Sequence, residues 1–339
     1  MRWFIEWKPS RRRGMKLRIV FCCFVLGISL LGGSLENPLD KGEPIHRGLV
    51  SDIALVDNQI YSLSPAGLSK GIGTESEVIL SPSIRLLALS EFQRNALSEL
   101  VLVGGEPGVS GVVGFYSFLN GQFQSEVVGE DLIYDVAVGP ANDRIAIGCA
   151  DGRVMLALFD GVTISGFVVR YAHTAPVRSV VFSGDGEHLA SAGLDGLVLV
   201  AALDSDQEPK ALQDHSDKVE CVVFSPDSKS VISGARDGRV RIHSVEGRLI
   251  RNYSNLGGIN SSTPWERKNQ ILSLAYSTEP LALFTGTSLG YVVRLSLTDT
   301  SSEVIARKSS PVNSLLFGDE LFVGSDRLST FSFDVHSPE

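Results

Sequence analysis

Long apolar runs, paired cysteines and low-complexity tracts are scarce in this chain, and each scarcity removes a class of protein. The most apolar stretch of its 339 residues, Ile19 to Leu31, is about 13 residues long, short of the roughly 20 that a membrane-spanning helix needs. Four cysteines occur: Cys22 and Cys23 inside that stretch, Cys149 and Cys221 far apart in the chain. With no CxxC spacing and no His/Cys cluster, neither a zinc site nor a disulfide framework is expected. There is no GxSxG nucleophile elbow, and Gly71-Ile72-Gly73 lacks the third glycine of a dinucleotide site, so it reads as a turn. Charged and low-complexity tracts are absent, while hydrophobic residues make up 43%, enough to bury a core.

The first 34 residues differ from the rest. Arg2, Lys8, Arg11, Arg12, Arg13, Lys16 and Arg18 precede the apolar stretch, and Gly32-Gly33-Ser34 comes directly after it. A basic region, a short apolar region and small residues together describe a secretory signal peptide, and an uncleaved signal anchor shares these features. The basic residues hold that end in the cytoplasm in both cases, so both export the remainder of the chain. Ser10 to Lys16 is also similar to a twin-arginine export signal, with Gly14 where a bulky residue is expected. Of 30 basic and 39 acidic residues, 23 and 38 lie after residue 34, a formal charge of −15. Such a surface repels phosphate backbones, and no nucleic-acid partner is expected.

After residue 45 one pattern recurs seven times: VSDIALV, IRLLALS, IYDVAVG, VRSVVFS, VECVVFS, ILSLAYS and VNSLLFG, beginning at Val50, Ile84, Ile133, Val177, Val219, Ile271 and Val312. Each run has an apolar leader, two variable positions and a mostly apolar trio. The spacing of 34 to 52 residues suits four-stranded propeller blades, units that must stack to share a core. The fourth run continues through a turn at Gly184-Asp185-Gly186, a strand at Leu189–Ala192, a turn at Asp195-Gly196 and a strand at Leu197–Leu203. The fifth repeats this with Pro226-Asp227, Val231–Gly234, Asp237-Gly238, Arg239–Val245 and an outer strand at Leu249–Tyr253. Asp-Gly between apolar runs is a strong hairpin signal. The expected fold is all-β, a seven-bladed propeller over residues 35–339 preceded by the export segment 1–34.

HLASAGLDGLVLV and SVISGARDGRVRI resemble the second and third strands of the WD-repeat family. His46, His173 and His215 each stand four residues before a blade's leader, where that family has a loop histidine. Ser191, Ser233 and Thr285 match its second-strand hydroxyl, and Asp151, Asp195 and Asp237 its turn aspartate. The resemblance implies that these groups are hydrogen-bonded within each blade, in a chain ending at a third-strand tryptophan. Ala201 and His243 stand at that position here, and Leu289 replaces the sixth blade's aspartate. Similar propellers close by lending an amino-terminal strand to the last blade; the donor here would lie within Leu35–Ile45.

The resemblance implies a non-enzymatic scaffold for protein–protein interaction, with a protein or peptide partner and no cofactor, and the amino-terminal segment adds the expectation that it is exported. A membrane would be met only through an uncleaved anchor. The alternative is an enzyme or cofactor-binding protein with a site near the central channel. His188, His336 and the carboxylate pairs Glu130-Asp131 and Asp185/Glu187 read as turn or tail residues. Between blades five and six an insertion, Ser254–Asn269, carries Trp265, a candidate partner contact or a side chain packed on its own blade. Asn252-Tyr253-Ser254 and Asn260-Ser261-Ser262 match the glycosylation pattern of a eukaryotic host.

Overall fold

The computed structural model describes residues 50–72, 77–94, 97–159, 164–254, 256, 269–278, 281–318, 320–326 and 328–331, all within one compact unit, Leu35–Glu339. They form seven antiparallel sheets, each built from strands consecutive in the chain; six have four strands and the seventh has three. No α-helix occurs among them. The innermost strands are Asp52–Val56, Leu86–Arg94, Ile133–Val138, Val177–Phe182, Val219–Phe224, Ile271–Thr278 and Ser314–Phe317. Each packs beside the inner strand of the next blade, and the seventh beside the first, so the ring closes as a seven-bladed β-propeller. The Val50 N–H donates to the Ser325 carbonyl at 2.7 Å across the closing joint. Leu35–Ile45, the expected closing strand, lies outside the described residues.

The leading apolar residue of the repeat is what joins one blade to the next. Val50, Val177, Val219, Ile271 and Val312 are fully buried, and four of them face a glycine on the second strand of the preceding blade. A Cβ on Gly148 would lie 2.7 Å from Val177, and one on Gly324 would lie 2.8 Å from Val50; on Gly234 and Gly286 it would come closer still to Ile271 and Val312. Gly286→Ala should therefore cost about 1–3 kcal/mol in a urea melt, because the new Cβ meets both Ser273 Oγ and the β-branched Val312, which is stiff at χ1. Val312→Ala in the same chain should recover part of it.

Blade two departs from expectation. Ile84 is only half-buried, and Leu86 takes the leader position, pairing with Gly104 as Val177 pairs with Gly193. This blade's first two strands form a long hairpin, Leu86–Arg94 and Leu97–Glu106, whose apolar letters run on and blur the start. In blades four and five the turns Asp195-Gly196 and Asp237-Gly238 place glycine at φ of 85° and 76°, which glycine adopts without steric cost. The rim is tied by cations of one blade on strand-end and turn carbonyls of the next. Arg170 donates to Ala202 at 3.0 Å, Lys210 to Glu246 at 2.7 Å and Arg251 to Asp299 at 2.6 Å.

Candidate functional site

In five blades the inner strand opens with a register shift that opposes two of its residues to one on its neighbour. Such a bulge re-aims a side chain. The second residue of the repeat, one of the two variable positions, is the one set free: Leu87, Tyr134, Arg178, Glu220 and Leu272. All five line a central channel of about 500 Å³ to which every blade contributes. The bulges lie at the start of the inner strands, so this row encircles one mouth of the channel.

On the side of blades three to five the row is charged. Arg178 donates from Nε to Glu220 at 3.0 Å, and Arg236, from the turn after the second strand of blade five, donates from Nε to the other oxygen. The Glu220 side chain is only 4% exposed, whereas Arg178 and Arg236 are 36% and 35% exposed. The Arg178 guanidinium also lies 4.8 Å from the centre of the Tyr134 ring, within cation–π range.

The third residue of the repeat is aspartate in blades one and three, and both acids also line the channel. They bridge blades. Asp52 accepts the N–H groups of Ile53 and Leu89, and Asp135 those of Val136 and Val180 at 2.9 and 2.8 Å. Burial pushes Asp52 up to about 6 despite these donors, and burial together with the charge of Asp52 pushes Asp135 to about 7.

The predicted blade groups fall into three sets. His173 Nδ1 lies 3.0 Å from both oxygens of Asp195, and its Nε2 lies 2.7 Å from Ser191 Oγ. In blade five His215 Nδ1 stands 3.1 Å from Asp237, and Nε2 stands 2.8 Å from Ser233. Asp151, by contrast, pairs with Arg153 at the surface, because Gly129 occupies the place of a histidine four residues before Ile133. Thr285 Oγ1 is buried without a hydrogen-bond partner. His46 and Trp265 lie outside the described residues.

Ser191, His173 and Asp195 reproduce the atom pairs of a hydrolase triad, yet no substrate can reach them: Ser191 and the His173 side chain are 0% exposed. Burial, outweighing the pull of the aspartates, holds both histidines below their ordinary pKa, so they are neutral hydrogen-bonding struts. Asp185 accepts from Ser183 Oγ and from the Glu187 N–H, which makes it a turn-former beside His188. Cys149 and Cys221 are buried free thiols.

Sequence reasoning missed several partners. Arg241, 5% exposed, donates from Nη1 to Asp237 at 2.9 Å. His243, at the expected tryptophan position, puts Nε2 2.5 Å from Asp214. In blade four Ala201 stands at that position, and Tyr171 from the outer strand of blade three packs into the same cluster. The only signal for the channel aspartates was their place as third letter in VSDIALV and IYDVAVG.

The family described as WD domain, G-beta repeat, matches residues 166–200 and 207–244. These spans run from the outer strand of blade three through the third strand of blade five, and they contain both His–Ser–Asp networks. Blades four and five thus match the WD-repeat model, and they sit in a ring of seven antiparallel sheets. No curated protein matches the chain.

Proposed function

We propose that this protein is a non-enzymatic scaffold that receives a protein or peptide segment at the mouth of its central channel, and that it works outside the cytoplasm. The observation that carries the binding reading is the bulge row: the positions where the repeat varies are the side chains turned toward the channel. WD-repeat propellers typically act as interaction scaffolds, and the His–Ser–Asp networks here are buried and committed to holding their blades. A photo-crosslinking residue at Leu87 or Leu272 should give protein adducts in the native compartment. Adducts arising only from Leu119, a 77% exposed residue in an outer turn of blade two, or none at all, would overturn it.

The export reading rests on the basic and apolar segments before residue 34. Amino-terminal sequencing of the native protein should give a mature end near Leu35 in an extracytoplasmic fraction. An intact Met1 in soluble cytosol would sink this part and leave the scaffold reading standing.

A further inference from the structure

We infer that the channel mouth beside blades three to five is an oxyanion receptor, taking a carboxylate or phosphate group carried on a peptide between Arg178 and Arg236. This rests on the scaffold reading and narrows it to a partner chemistry.

Both guanidinium groups are anchored from the same side. Glu220 is almost wholly buried and accepts one Nε–H from each arginine, and the Tyr134 ring supports the Arg178 plane. An arginine carries five N–H donors. Nε is the only atom through which either is hydrogen-bonded in the described contacts, so both Nη ends remain for a ligand while each side chain stays about one-third exposed. Two forks held in place by a shared carboxylate have already lost the rotamer freedom that binding would otherwise cost. Their geometry matches paired oxygens, as in a carboxylate or phosphate, and does not match a cation.

Charge agrees with geometry. Two cations against one anion leave the cluster positive, and the exposed Arg85 lines the same channel. Among the described contacts neither Asp52 nor Asp135 forms an ion pair with Arg178 or Arg236, whose carboxylate partner is Glu220. The rest of the chain after residue 34 is strongly acidic, so a polyanion is repelled while a single acidic group on a peptide is accepted locally.

The probe is a phage library of random dodecapeptides selected on the immobilised full chain. Enriched peptides should share an Asp or Glu at one position, and its replacement by Ala should abolish binding. Placing phosphoserine there distinguishes the sources: tighter binding than Glu names a phosphate ligand, weaker binding a carboxylate ligand. Arg178→Lys with Arg236→Lys keeps the charges but removes the forks, and should weaken the selected peptides by about tenfold or more. The triple change Arg178→Gln, Glu220→Gln, Arg236→Gln leaves no lone buried charge and should do the same with the thermal midpoint preserved. Enriched peptides without an acidic residue, or unchanged affinity in both variants, would overturn the oxyanion site while the scaffold reading stood. Failure to enrich any peptide would overturn both.

Discussion

Asp237→Ala is expected to be the most damaging of the three turn-aspartate substitutions, lowering stability by about 3–5 kcal/mol. Its carboxylate has two charged or polar side-chain partners, His215 and Arg241, and also accepts the N–H groups of Ser216 and Arg239. Burial pushes this carboxyl up, but the bonds from His215 and Arg241 outweigh it and hold it well below the ordinary aspartate range. Removing it leaves a guanidinium that is 5% exposed with His215 Nδ1 beside it but without its carboxylate, and a buried charge that loses its counter-ion costs about 3–5 kcal/mol. Asp195→Ala should cost less, about 1–3 kcal/mol, because a neutral histidine and backbone N–H groups lose their acceptor but no cation does. Asp151→Ala should cost under about 1 kcal/mol, since its pair with Arg153 is at the surface. Urea midpoints of the three variants check the ranking. Equal losses at Asp237 and Asp151 would mean that burial of Arg241 does not set the energy.

Asp135→Asn should change how stability depends on pH, in a direction that the channel carboxyls dictate. A carboxyl raised in the folded chain contributes stability that is complete below its unfolded pKa, near 4, and lost as the pH rises through the folded value. For Asp52 and Asp135 those values are about 6 and about 7. His173 and His215 act oppositely. Their folded pKa values are lowered, so their burial costs stability as the pH falls below the ordinary histidine value of about 6.5. The wild-type profile therefore mixes both, and the difference between wild type and Asp135→Asn removes the histidines and reports the Asp135 carboxyl together with its coupling to Asp52. Between about pH 5 and about pH 8 the wild type should lose up to about 2.7 kcal/mol relative to the variant. Solvent screening at this half-buried residue reduces that figure. Urea midpoints across the range measure it; parallel profiles would show that Asp135 holds no raised pKa.

Much of this was legible in the letters. The apolar leaders, the Asp-Gly turns and the His, Ser and Asp offsets were readable because each arises from local spacing: four residues from histidine to leader, one hairpin from hydroxyl to aspartate. Blade two was misplaced by two residues because its long apolar hairpin offers several equivalent starts. Asp151 was grouped with Asp195 and Asp237 by its turn, yet a turn motif cannot say whether a histidine arrives to share it. Arg241 was not singled out within the strand Arg239–Val245, since charge in a sequence carries no record of burial. Glu220 and Arg236 are 16 residues apart, and their meeting depends on two strands pairing and a turn folding back.

The sequence by itself determined the number of blades, their order and the hydrogen-bonded struts of blades four and five, because a repeat that cannot bury its own face must stack on its neighbours. Tertiary structure alone decided which variable positions matter. The bulges at the inner strands turn the second residue of each repeat toward a common axis, so residues about 40 positions apart become neighbours: Arg178 reaches Glu220, and Asp135 reaches Val180. No local pattern encodes that meeting; it exists only once the ring has closed.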